Sequence, residues 1–238
     1  MNTTTSEGRT TRTRRVGQSF ALLVAPWGFV IANAGYAWMT RHGGSDDTAE
    51  GALALSAAHP ALDKWGTLAA MVGCLLMVPA VLGAMGLLRE RAARLSLLGG
   101  SLMIAGYVCY FGLCFQGYGV IAMAENGGAT ADHVAVAEAT MNQAFFVGPA
   151  LVFVVGNIIG TFLLGLAAIR GRVIPRWAGL CILAWPVLHV VGGTWGELAG
   201  AVLQAIGFAV MGLRLLGSAK HRDIEPHSVL SPVGTAAA

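Results

Sequence analysis

Six runs of apolar residues follow one another along the chain, at about 18–40, 65–88, 96–123, 144–169, 175–192 and 195–216, with polar stretches between them. A bilayer span needs roughly 20 mostly apolar residues. The pattern therefore predicts an all-α fold, a six-transmembrane-helix bundle. Four of the runs carry an internal proline, Pro26, Pro79, Pro149 and Pro186. Each removes a backbone donor and crowds the preceding turn, so each predicts a kink.

The polar stretches carry shorter elements. In the loop 41–64, Asp47 followed by Glu50 reads as a helix start, "AEGALALSAA" supplies about two turns, and His59-Pro60 ends them. The expectation is a short amphipathic helix lying on the outer surface. The next large loop opens with "ENGGAT", after which Asp132 is expected to cap a helix through Val134, Val136 and Met141. Gly148-Pro149 is expected to bend the span that follows. Residues 1–16 and 218–238 read as flexible cytoplasmic tails flanking a membrane domain at 17–217.

Composition supports the bilayer over a soluble interior. The 238 residues are 55 % hydrophobic and 11 % charged, with a mean hydropathy of +0.66, whereas soluble domains carry about 25 % charged residues. Of the fifteen basic residues, all but Arg41 and Lys64 fall before span one, between spans two and three, between four and five, or after six. Asp46, Asp47, Glu50, Asp63, Glu125, Asp132, Glu138 and Glu197 fall in the alternate loops. The positive-inside rule then places both termini in the cytoplasm of a bacterial plasma membrane. The excess of +3 is a topology signal and does not call for nucleic acid.

A second reading of the N-terminus stays open. Arg14-Arg15, the run Ser19 to Ile31 and Ala32-Asn33-Ala34 imitate a cleavable signal peptide. Against cleavage, the apolar run continues to Trp38 and Met39, long enough to span, and Trp38 suits an interfacial belt. From residue 40 onward the threading is the same in either case.

Candidate chemistry is sparse. His189 and Glu197 stand in the otherwise apolar stretch "WPVLHVVGGTWGELAG". Thr194 and Glu197 have the spacing of a capping box, which accounts for the glutamate as the start of span six. His189 lies four residues before Gly193, about 6 Å below the end of its helix, so the two side chains can meet as a titratable pair and form a candidate catalytic centre. Asn33, Gln116, Asn157 and Gln204 are candidate cavity-lining residues or inter-helix hydrogen-bonding groups. With a single histidine inside a span, a bis-histidine haem is not expected. No zinc spacing, phosphate loop or dinucleotide fingerprint is present, so neither metal nor cofactor is expected. Cys74, Cys109, Cys114 and Cys181 fall within spans, without a CxxC pair, and read as packing residues. Gly156-xxx-Gly160 and Gly196-xxx-Gly200 have the spacing of close helix contacts, although with 33 glycines in the chain the spacing alone says little.

"AAHPALDKWGTLAAMVGCLLMVPAVLGAMGLLRERAARLSLLGG" and "VIPRWAGLCILAWPVLHVVGG" resemble the small multi-pass integral membrane proteins of actinobacteria grouped as domains of unknown function. The His-Pro before span two, the R-E-R-x-x-R-L inner turn and the Pro-Arg-Trp before span five carry the resemblance. It implies topology and brings no activity to any residue. Three function classes remain. The first is a non-enzymatic accessory, immunity or small-solute permeation component. The second is a small intramembrane enzyme, such as a cyclase of an apolar substrate using a carboxylic acid near the outer face. The third is a transporter with an outward-open cavity. The expected partner is the lipid bilayer, and an apolar or small-molecule ligand or a homo-oligomer is compatible with it.

Overall fold

The computed structural model describes the backbone of residues 3–221 and the side chains of residues 10–217. It consists of eight helices: α1 (Thr3–Thr40), α2 (Ala49–Ala58), α3 (Pro60–Leu88), α4 (Ala93–Glu125), α5 (Ala131–Met141), α6 (Ala144–Gly171), α7 (Arg176–Val191) and α8 (Gly193–His221). No β-strand occurs among the described residues, apart from an isolated bridge between Arg41 and Gly43. The fold is all-α, as the apolar periodicity predicts. Backbone is already helical from Thr3, while residues 1, 2 and 222–238, which include Arg222 and most of the expected C-terminal tail, lie outside the described residues.

Five helices are long and apolar enough to cross a membrane: Thr10–Thr40 of α1, α3, α4, α6 and Gly193–Gly217 of α8. The sixth apolar run forms α7, which has only 16 residues and therefore rises about 24 Å. Its start is fixed by Pro175, and α6 before it ends where Arg172 turns into the left-handed region at φ 50°. The helices α1, α3, α6 and α7 run on through Pro26, Pro79, Pro149 and Pro186.

Both short helices form, with different caps from those expected. Thr48, not Asp47, caps α2, its hydroxyl accepting from the Gly51 amide at 3.1 Å. Thr130, not Asp132, caps α5 by accepting from the His133 amide at 3.3 Å. A threonine in extended conformation just before the first turn satisfies an amide that the helix leaves unpaired. As its amphipathic pattern predicts, α2 lies at the surface with Glu50, Ala54, Ala57 and Ala58 exposed on one face and Ala49, Leu53 and Ser56 buried on the other. Leu53 is fully buried, and with Ala49 it packs against Ala124 of α4 and Ala137 of α5. Together α2 and α5 cover one end of the bundle.

Glycine decides how the long helices pair. A Cβ on Gly28 of α1 would stand 2.4 Å from the Ala69 carbonyl oxygen of α3. Between α4 and α6, a Cβ on Gly156 would stand 2.4 Å from the Leu102 oxygen, and one on Gly99 2.9 Å from the Gly160 oxygen. Between α7 and α8, a Cβ on Gly207 would meet the Ala178 oxygen at 2.7 Å, and one on Gly200 the Trp185 Cα at 3.1 Å. Backbone touches backbone at these crossings, which only small residues permit. The glycine spacings around Gly156 and Gly196 thus lie on real contacts. The remaining interior is one cluster running from Ala21 and Leu22 of α1 through Met103 and Tyr107 of α4, Leu164 of α6 and Ile182 of α7 to Phe208 and Met211 of α8.

Charge separates the two ends. Arg91 donates to the Gly171 carbonyl at 3.3 Å, joining the α3–α4 turn to the α6–α7 turn. Gly83 near the end of α3 packs against Gln18 of α1 and Leu215 of α8. The arginines of the two turns therefore share an end with the start of α1 and the end of α8. The opposite end holds α2, α5 and the acidic residues of the loops. Between them Leu75, Val108, Phe115, Leu151 and Leu213 are exposed on the flanks. So much uncovered apolar surface marks a membrane-facing belt, and the chain is read as an integral membrane protein.

Candidate functional site at the acidic end

The α7–α8 turn brings His189 and Glu197 together. Nδ1 of His189 stands 3.6 Å from Oε1 of Glu197, an ion pair when the imidazole carries its proton. About a third of each side chain is exposed. His189 also stacks on Trp185 one turn earlier, with ring centroids 4.8 Å apart and planes 19° from parallel.

The capping box expected to explain Glu197 does not form. Gly192 alone separates the two helices, and α8 begins at Gly193, where φ is +56°. Thr194 is therefore already inside the first turn, and among the described residues no hydrogen bond joins it to Glu197. The Gly196 amide donates to the Gly192 carbonyl at 3.0 Å in place of the expected cap. Released from capping, the Glu197 carboxylate is free to face His189.

Three residues that the sequence did not single out complete this end. The Tyr36 hydroxyl at the end of α1 donates to Oδ1 of Asp46 at 2.6 Å. Asp46 lies within electrostatic reach of both Asp63 and Glu197. Asp63, in the first turn of α3, accepts from the Ser56 hydroxyl of α2. Nearby, the lysine and arginine of this end among the described residues are both engaged: Lys64 donates to Oε1 of Glu125 at 2.6 Å, and Arg41 lies over the Trp38 ring at 4.1 Å. The arrangement can accept hydrogen bonds and attract cations. Among the described residues no group of three His, Cys, Asp or Glu side chains is placed to hold a metal.

The four uncharged polar candidates do not converge with this pair. Asn33 donates to the Phe29 carbonyl of its own helix at 2.8 Å. Asn157, buried, accepts from Thr161 one turn later at 3.5 Å. Gln204, also buried, leaves its amide nitrogen unpartnered, and Gln116 leaves its carbonyl oxygen unpartnered. Two cysteines do meet: the Cys74 and Cys114 thiols of α3 and α4 are hydrogen-bond neighbours, and all four cysteines are free. No family model, curated protein or solved structure matches the chain.

Proposed function

We propose that the chain is a non-enzymatic accessory component of a bacterial plasma membrane, threaded six times, with both termini in the cytoplasm and its acidic end presented outside. The observation that carries the accessory reading is the filled interior. Tyr107, Phe208, Met103, Leu164 and Met211 are buried to 2 % exposure or less, and glycine seams bring the surrounding backbones into contact. Dense packing of this kind leaves side chains few alternatives and supports a scaffold over a permeation path. The enzyme reading gains nothing from Glu197, which is partly exposed and paired with His189.

Six crossings are supported by the company α7 keeps. It runs beside α8 from Ala178, next to Gly207, to Leu188, next to Gly196. A helix packed antiparallel along the first half of a membrane-length partner supports a sixth crossing, and Val173 to Pro175 extend its reach. The concentration of arginine at the end shared by the start of α1 and the end of α8 supports the cytoplasmic orientation of that end.

Proteoliposomes carrying the purified chain test the accessory reading. They should release small neutral and charged solutes no faster than empty vesicles. Flux that depends on the protein would replace the accessory reading with permeation.

A further inference from the structure

At the acidic end a groove of about 410 Å3 opens on the flank between α3 and α4. Its polar rim is the Lys64–Glu125 pair, 2.6 Å apart with both side chains nearly half exposed. Below the rim the groove is lined by Trp65, Leu68 and Tyr118. Trp65 is 68 % exposed, although it sits at the start of a membrane-length helix. Further down α3, Leu68, Val72 and Leu75 continue as an exposed apolar lane at helical spacing.

The pair leaves binding capacity unused. An ammonium has three donors and a carboxylate two acceptor oxygens, and the Lys64–Glu125 bond uses one of each. A ligand complementary to this rim carries an anion and a cation a few bonds apart. The aromatic rings beside Glu125 suit the cation, because a ring face attracts an ammonium. The lane beneath suits an alkyl chain attached to the anionic side.

We propose that this groove binds a zwitterionic phospholipid of the surrounding bilayer, with its phosphate on Lys64, its ammonium between Glu125 and the rings of Trp65 and Tyr118, and an acyl chain along Leu68, Val72 and Leu75. The site rests on α3 and α4 crossing the bilayer and is independent of the accessory role.

Native mass spectrometry of the full chain, extracted from membranes in mild detergent, tests it with phosphatidylethanolamine, phosphatidylcholine and phosphatidylglycerol bearing identical acyl chains. Both zwitterionic lipids should be retained roughly three- to tenfold better than phosphatidylglycerol, the range expected of one or two charge-assisted contacts at a partly exposed site. The preference should vanish in the Lys64→Gln, Glu125→Gln double variant and persist in Arg41→Gln, which alters the arginine of this end. Trp65→Leu, at an exposed position, should weaken ethanolamine and choline lipids alike, and it keeps the test valid if the double variant does not fold. Equal or better retention of phosphatidylglycerol, or a preference that survives both groove variants, overturns the proposal. A chain that does not partition into the membrane fraction at all would instead overturn the bilayer placement on which it rests.

Discussion

Nδ1 of His189 stands 3.6 Å from Oε1 of Glu197 across a junction only one residue long, Gly192, so that the last turn of α7 faces the second turn of α8 through their own side chains. Pairs this exposed contribute about 0–1 kcal/mol. Glu197→Gln should therefore lower stability by less than about 1 kcal/mol. His189→Ala, which also removes the stack on Trp185, should cost about 0.5–1.5 kcal/mol more. Thermal unfolding of the two variants in detergent would reveal the order, and equal losses would show that the stack contributes nothing.

Thr194 supplies a sharper check. A capping threonine lost to alanine costs about 0.5–2 kcal/mol, but this one sits inside α8 without a bond to Glu197. Thr194→Ala should change stability by no more than about 0.5 kcal/mol, as an ordinary surface substitution does. A larger loss would restore the cap.

At the α4–α6 crossing, Gly156→Ala places a methyl group 2.4 Å from the Leu102 carbonyl oxygen. That oxygen belongs to a helix backbone and cannot swing aside, so the helices must part, at a cost of roughly 1–3 kcal/mol. Gly86 has nothing within 4 Å of the same position, and Gly86→Ala should be neutral or stabilising. The difference in melting temperature between the two variants measures the seam directly.

The buried Gln204 amide nitrogen has no partner. An unpaired buried polar group costs about 1–3 kcal/mol, and removing it with an apolar group of similar shape can be neutral or better. The buried Tyr107 hydroxyl of α4 is the hydrogen-bond neighbour of Gln204, so the Gln204→Leu, Tyr107→Phe pair should leave stability unchanged or raise it, while Gln204→Leu alone strands the hydroxyl and should cost about 1–3 kcal/mol. A clear fall in melting temperature for the pair would mean that the amide is bonded in the bilayer.

Reporter fusions near Arg91, near Arg172 and after Lys220 should all signal from the cytoplasm. A periplasmic signal after Lys220 would leave α7 on one face of the bilayer and reduce the crossings to five.

Apart from the start of α1, which reaches back from the apolar run to Thr3, the apolar runs located the long helices to within a few residues, because length and hydropathy alone decide whether a segment can lie in hydrocarbon. The run before Trp38 continues as one helix to Thr40, and the run around His189 emerges as α7. Caps were less legible. Asp47 and Thr48, or Thr130 and Asp132, are chemically equivalent candidates, and the choice between them depends on backbone angles that composition does not encode. The glycine seams were visible only as spacings, since a spacing does not reveal which face of a helix meets another. The meeting of His189 with Glu197 could be anticipated because only seven residues separate them around a turn. That Tyr36 would reach Asp46, and Asp46 would stand near Asp63 and Glu197, depends on three separate helices converging, and no local signal carries it.

The glycine seams have a consequence for how the molecule is made. They join α1 to α3, α4 to α6 and α7 to α8, which are neighbours in the order of synthesis once the two short helices are set aside. Each sealed hairpin can therefore close as soon as its second arm is delivered to the bilayer, before any later segment exists. Two of the contacts between hairpins are of another kind: Met85 fills the space at Gly100, and Ile169 that at Gly179, with flexible side chains, whereas Gly212 of α8 meets the Ser19 carbonyl oxygen of α1 as backbone, where a Cβ would stand 3.0 Å away. Assembly in the membrane is then the docking of three finished units, and an error in one glycine seam would be locked in before the rest of the chain could correct it.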